Sequence, residues 1–284
     1  MKLKYTWIPF IFAFLFFVPL RLYVVVTGTY PSIGSFSYSY LEAVSSILTA
    51  LFVLMIIIMC VMAKNAPSNI NFEKNIIAGV LSFVSGIIII CSGISSFISA
   101  FNNFDSKVLA LSILSMMSGA VFLLMGYTHY TSNNIFKRVP LLILIPVLWC
   151  GLRIFMLFID YTSVVSTQID ASYMLALMSL FVFLYMQSRA FVHVDYKSIV
   201  KKMIIFGMPC IVLMSSYTLT DIVSILASDK FTFDYTFMLV IADAVLACYI
   251  FSVLTEITMR DDNDNVYFKS IYSKRENTEN NSYE

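Results

Sequence analysis

The chain has 284 residues, 60% of them hydrophobic and only 12% charged, with a formal net charge of +1. Soluble domains carry about 25% charged residues, so a soluble core does not account for this composition. The near-neutral balance, with no basic patch outside the loops, gives no electrostatic footprint for nucleic acid.

A membrane crossing takes about 20 apolar residues, and eight such stretches fill the chain, at 5–26, 40–63, 75–100, 108–128, 139–160, 171–192, 203–227 and 235–257. The predicted fold is all-α: a polytopic bundle of eight transmembrane helices in one domain, 1–259. A polar tail, 260–284, is too short and too polar to fold alone and is expected to be a disordered cytoplasmic end. Of the 18 Lys and Arg, fourteen fall at one set of helix ends and two, Lys107 and Lys230, at the other, while Arg21 and Arg153 lie within spans. That asymmetry predicts both termini in the cytoplasm.

The first helix carries Pro9, Pro19 and Arg21, and no small-x-small cleavage pattern precedes Arg21, so it is expected to stay as a signal-anchor. The loop at 27–39, rich in Gly, Ser and Tyr, has the composition of an extracytoplasmic connection with interfacial tyrosines. Glu42, Ser45, Ser46 and Thr49 give the second helix a polar stripe expected to face inward. The third helix has Gly79, Ser82, Gly86 and Gly93, and the fourth Ser112, Ser115, Gly119 and Gly126, at the same spacing. Small residues in rows let helices approach closely where lipid offers no hydrophobic drive between them, so these two stripes are expected to meet.

A short polar cytoplasmic loop is predicted at 129–138. The next stretch, 139–161, looks like the element around which the rest is organised: Pro146, Trp149, Arg153 and Asp160 follow at spacings of 3, 4 and 7, on one side of a helix. The loop at 193–202 is basic and suited to an anionic membrane surface; His193 and Asp195 in it are expected to be a solvated pair. On the seventh helix Tyr217, Thr218, Asp221 and Ser224 share a face, with a kink expected at Pro209, and the eighth has Asp243 between Ala242 and Ala244. Cys60, Cys91, Cys150, Cys210 and Cys248 form no C-x-x-C pair and read as small apolar fillers.

At ~1.5 Å per helical residue, Arg21 and Asp221 lie about 8 Å from their outer helix ends, Arg153 about 10 Å and Asp243 about 13 Å. Two cations and two anions thus share one layer in the outer half, with Glu42 and Asp160 at its rim. An unpaired charge at the bilayer centre costs ~2.5–3.5 kcal/mol, so the layer should pair internally: Arg153 with Asp243 or Asp221, and Arg21 with Glu42. The candidate ligand- or ion-binding residues are therefore Arg153, Asp221, Asp243, Arg21, Glu42, Asp160, Tyr217 and Trp149. No catalytic set, metal site or cofactor motif is predicted. An intramembrane aspartyl pair is disfavoured because an arginine at the same depth would hold both acids ionised, whereas such a pair must share a proton.

With four helices before residue 139 and four after, a 4+4 parallel pseudo-repeat is open. Leu20-Arg21-Leu22-Tyr23 is similar to Leu152-Arg153-Ile154-Phe155, and Ile76, Ile77 and Gly79 to Ile204, Ile205 and Gly207, at unequal offsets. The pattern Ile145-Pro146, Trp149, Arg153, Phe158, Tyr161 and Thr162, followed by an apolar helix closing on Arg189, resembles that of uncharacterised multi-helix membrane proteins of Clostridia-type bacteria over about 139–192. The resemblance implies a bacterial, hence inner-membrane, protein and brings no activity or site residue with it. Two functions stay open. The favoured one is a transporter-like or small-ligand-binding bundle using the charged layer; the alternative is a non-catalytic accessory or sensor subunit acting through other membrane proteins.

Overall fold

The structure, a computed structural model, describes the backbone of residues 3–29, 35–62, 75–131, 133–163, 168–192, 199–227 and 235–280. It describes the side chains of all of these except 3–4, 25–29, 35–43, 46, 103, 160–163, 168–172, 224, 226–227 and 259–280. Every long element in it is an α-helix: α1 (Trp7–Thr29), α2 (Ser35–Met62), α3 (Ile76–Asn103), α4 (Ser106–Thr131), α5 (Ile145–Ser163), α6 (Gln168–Val192), α7 (Ile199–Ala227) and α8 (Tyr235–Asn280). Seven are long and apolar enough to cross a membrane; the described apolar stretch of α2 is the shorter Ile47–Met62. These helices suit a lipid bilayer, and the chain has the build of a multi-pass membrane protein.

The helices α3 to α8 close into a ring in chain order, α3 against α4, α4 against α5, and so on until α8 returns to α3. The α1–α2 hairpin packs outside the ring on α7. We call the end carrying Trp7, Asn75 and Phe191 the lower end and the end carrying Phe104 the upper end; the upper end is the one that the charge pattern predicts to face outside. The stretch 139–161 is not the centre that the sequence predicts. Only 33% of the α5 span is buried, against 72% for α7, because α7 has the ring on one side and the α1–α2 hairpin on the other. Residues 139–144 also stay out of α5, which starts at Ile145 with Pro146 in its first turn, where proline gives up no helical hydrogen bond.

The two small-residue stripes do meet. Gly79 faces Gly126 and Gly86 faces Gly119 in an antiparallel register, so close that a methyl group built on Gly86 would lie 2.8 Å from the Gly119 carbonyl oxygen. The Ser82 hydroxyl donates to the Phe122 carbonyl at 2.7 Å across the same seam. The upper turn takes two residues: Phe104 ends α3 at φ 54°, and the Asp105 carboxylate accepts from the backbone of Lys107 and Val108, opening α4.

The lower end is tied by side chains. Asn75 caps α3, accepting from the Ala78 N–H at 2.9 Å, while its Nδ2 donates to Glu256 on α8 at 2.6 Å and its backbone N–H to the His129 carbonyl. Lys201 donates to the carbonyl of Val61 at 2.7 Å, satisfying one of the open carbonyls at the end of α2. Two predicted loops change here. His129 is not in a loop: α4 runs on to Thr131 and the ring is fully buried. The 133–138 connection is clamped, with Asn134 Nδ2 donating to the Phe191 carbonyl at 2.7 Å and Phe136 buried. Lys201 and Lys202 belong to α7, not to a 193–202 loop; His193 and Asp195 lie outside the described residues. The α8 backbone stays helical through Asn280, into the segment expected to be an unfolded tail.

Sequential pairs agree with a 4+4 repeat, since α1 packs on α2 as α5 does on α6, and α3 on α4 as α7 does on α8. The remaining packing does not follow it. The α1 and α2 contacts to α7 would require α5 and α6 to pack on α3, which instead has α4 and α8 as its partners.

Candidate functional site

The strongest polar constellation crosses the ring. Trp149 and Arg153, four residues apart, lie on the inward face of α5, at 0% and 4% exposure. On the opposite side of the ring α8 presents Asp243, at 0% exposure, from between two alanines. The guanidinium meets the carboxylate with two parallel bonds, Nη1 to Oδ1 at 2.8 Å and Nη2 to Oδ2 at 2.7 Å, the fork geometry that makes arginine–carboxylate pairs strong and directional. From α6 the Tyr173 hydroxyl donates to Asp243 Oδ2 at 2.8 Å and accepts from Arg153 Nη2.

Aromatic rings complete the enclosure. The Arg153 Cζ sits 4.7 Å from the Trp149 ring centroid and 5.9 Å from that of Tyr173, so the cation is also held by ring faces. Trp149 Nε1 in turn donates to Ser115 Oγ on α4 at 2.9 Å. Tyr217 of α7 stacks on Tyr173 with centroids 4.0 Å apart. Five of the six ring helices therefore contribute to one neutral unit, in which both Asp243 oxygens and both terminal Arg153 nitrogens have partners inside the protein.

The structure thus brings together four of the candidates, Arg153, Asp243, Trp149 and Tyr217, and it chooses Asp243 over Asp221 as the partner of Arg153. Asp221 stands one turn above Tyr217 on α7 and is partly exposed. Arg21 is buried at 7% exposure on α1, outside the ring. The side chains of Glu42 and Asp160 lie outside the described residues, and with them the Arg21–Glu42 pairing and the rim; so does that of Ser224. Ser45 and Thr49 are buried, as the inward stripe of α2 requires. Tyr173 is the residue that sequence reasoning missed. It stands near the start of a span, where a tyrosine looks like an interfacial anchor.

A second polar layer lies lower in the ring and joins alternate helices. His129 Nε2 of α4 is 3.0 Å from the Tyr249 hydroxyl of α8, and Gln187 Nε2 of α6 donates to the same hydroxyl. All three side chains are fully buried. Phe191 and Tyr249 pack edge-on to the imidazole at 5.6 and 5.8 Å, and Phe122 lies between Trp149 and Tyr249 at 6.5 Å from each. Rings thus fill the space between the two layers. This layer has no formal charge pair, and nothing in the sequence pattern marked it.

Among the described residues no three His, Cys, Asp or Glu side chains come together as a metal site. The five cysteines are free, with Cys60, Cys150 and Cys210 buried and Cys91 and Cys248 exposed. The chain matches no protein-family model, no curated protein and no solved structure.

Proposed function

We propose that the chain is a non-catalytic membrane subunit, an eight-span bundle of the bacterial inner membrane with both termini in the cytoplasm, that acts through other membrane proteins. The observation that carries this is the closure of the ion pair at the heart of the charged layer: Arg153 and Asp243 are spent on each other, on Tyr173 and on Trp149, at 4% and 0% exposure. A pair that binds a ligand or ion has to offer at least one of its charges to the incoming group. This one serves instead to fix which helices face each other across the ring. Asp243 is committed to a cation, which speaks against an acid pair sharing a proton with Asp221. The positive-inside asymmetry supports the orientation.

The transporter-like reading keeps one specific support, the partly exposed Asp221 beside Tyr217. A charge swap separates the two. In the subunit reading, Arg153→Asp combined with Asp243→Arg restores the assembled, thermally stable bundle that either single change loses. In the transporter reading, neutralising Arg153 leaves assembly intact and removes only flux; stable single variants would overturn the subunit proposal.

A further inference from the structure

We propose that a groove between α1 and α3, running down from the level of Asp243, holds one acyl chain of a phospholipid from the surrounding bilayer, seated behind the charged layer. The groove exists because α1 packs on α2 and α7 while α3 packs on α4 and α8, so that the two leave a gap above α7 and α8. Its α7–α8 side sets the small residues Ser215, Ala244 and Ala247 among larger apolar ones such as Ile211, and its α1 and α3 sides carry Phe14 and Leu81; the volume is about 580 Å³. That is the size of a small-molecule site.

Three observations select hydrocarbon as the occupant. First, the lining is apolar apart from three hydroxyls, and the protons of two of them, Ser215 and Thr218, are already given to the carbonyls of Val212 and Ser215 of their own helix, at 3.1 and 3.3 Å. A polar ligand would find few partners there for the hydration it gives up. Second, the groove is continuous with the lipid-facing surface, for its rim residues Leu15 and Ile77 are 62% and 66% exposed on helices of membrane-spanning length. Bilayer hydrocarbon reaches it without any opening of the bundle. Third, the groove follows α8 from Ala244 to Ser252, about 12 Å at ~1.5 Å per residue and less than half of a ~30 Å hydrocarbon core. That is the reach of one leaflet's chain, and it is short of the full-depth seam that a spanning partner helix needs. At the lower end Trp7 packs on Phe251 at 5.4 Å and donates to Thr258 at 3.0 Å, tying α1 to α8 beside the mouth.

The position gives the lipid a consequence. Ala244 follows Asp243, Ala247 lies one turn below it, and Thr218 follows Tyr217, so the chain lies against the reverse faces of the two helices that carry Asp243 and Tyr217.

Native mass spectrometry of the full chain, taken from phosphatidylethanolamine and phosphatidylglycerol liposomes into mild detergent, tests this. One phospholipid retained per chain is expected, falling by about tenfold in Ala247→Phe, which fills the groove, and falling also in Cys248→Leu. Cys248 is exposed at the groove, so that variant keeps the test readable if Ala247→Phe does not fold. No retained lipid, or retention equal in the variants that fold, overturns the proposal. So does a dimer that the same substitutions dissociate, which would put a second copy in the groove.

Discussion

The ring is crossed at two levels by polar side chains built from opposite materials. The upper crossing is a full ion pair, Arg153 with Asp243, enclosed by Tyr173, Tyr217 and Trp149. The lower one is His129, Tyr249 and Gln187, held by hydrogen bonds about a single hydroxyl. Both are buried and both join helices that are not neighbours in the ring. The difference is in what failure costs. Losing one partner of the ion pair strands a charge in a medium that cannot solvate it, whereas losing one partner of the lower cluster strands a dipole.

The largest expected effect follows from that contrast. Asp243→Asn should cost about 3–5 kcal/mol by leaving Arg153 buried without its counter-charge, read as loss of the folded fraction in a denaturant titration in detergent. Replacing both partners, Arg153→Met with Asp243→Leu, should recover most of that stability, since hydrophobic pairs of similar volume often match or exceed a buried ion pair. If the double variant stays as unstable as the single, the pair does more than tie helices. Tyr249→Phe should cost about 1–2 kcal/mol, because one hydroxyl serves both His129 and Gln187 and interhelical bonds in membranes reach at most ~1.7 kcal/mol each. Thermal melts of this variant and of Asp243→Asn, run side by side, would erase the contrast if they shifted equally. Ser115→Ala, which removes the acceptor of Trp149 Nε1, should cost least, about 0.6 kcal/mol, without the red shift in tryptophan emission that would report exposure of the ring to water.

The same contrast explains what was legible in the sequence. A charge inside an apolar span is costly enough that Arg153 and Asp243 stand out with no structure at all, and helical spacing alone put Trp149 beside the arginine. The α3–α4 seam was equally readable, because glycines at seven-residue intervals on two neighbouring helices have one obvious use. The choice of Asp243 over Asp221 was not readable, since it depends on the order of helices around the ring, which places α8 and not α7 opposite α5. Tyr173, Gln187, Tyr249 and His129 were missed for a related reason. Tyr173, Gln187 and His129 stand near span ends, where neutral polar residues are cheap in interfacial water and carry little information, and Tyr249, deeper in its span, passes as an aromatic filler; that all four face the bundle interior is decided by helix rotation. The sequence puts His129 at the start of a loop because polarity rises after it, yet α4 continues another half turn.

The central claim is that the Arg153–Asp243 pair within the charged layer is sealed, and thiol accessibility tests it most directly. On a background with the five native cysteines replaced, single cysteines at Met156, Tyr217, Val240 and Ser45 would be treated in intact cells with a membrane-impermeant reagent, with Ser166→Cys as the reactive control. A sealed layer predicts that the control reacts and the four do not. Labelling at Tyr217 or Met156 would reveal water beside Arg153 and contradict the account, returning the layer to a ligand-binding or transport role.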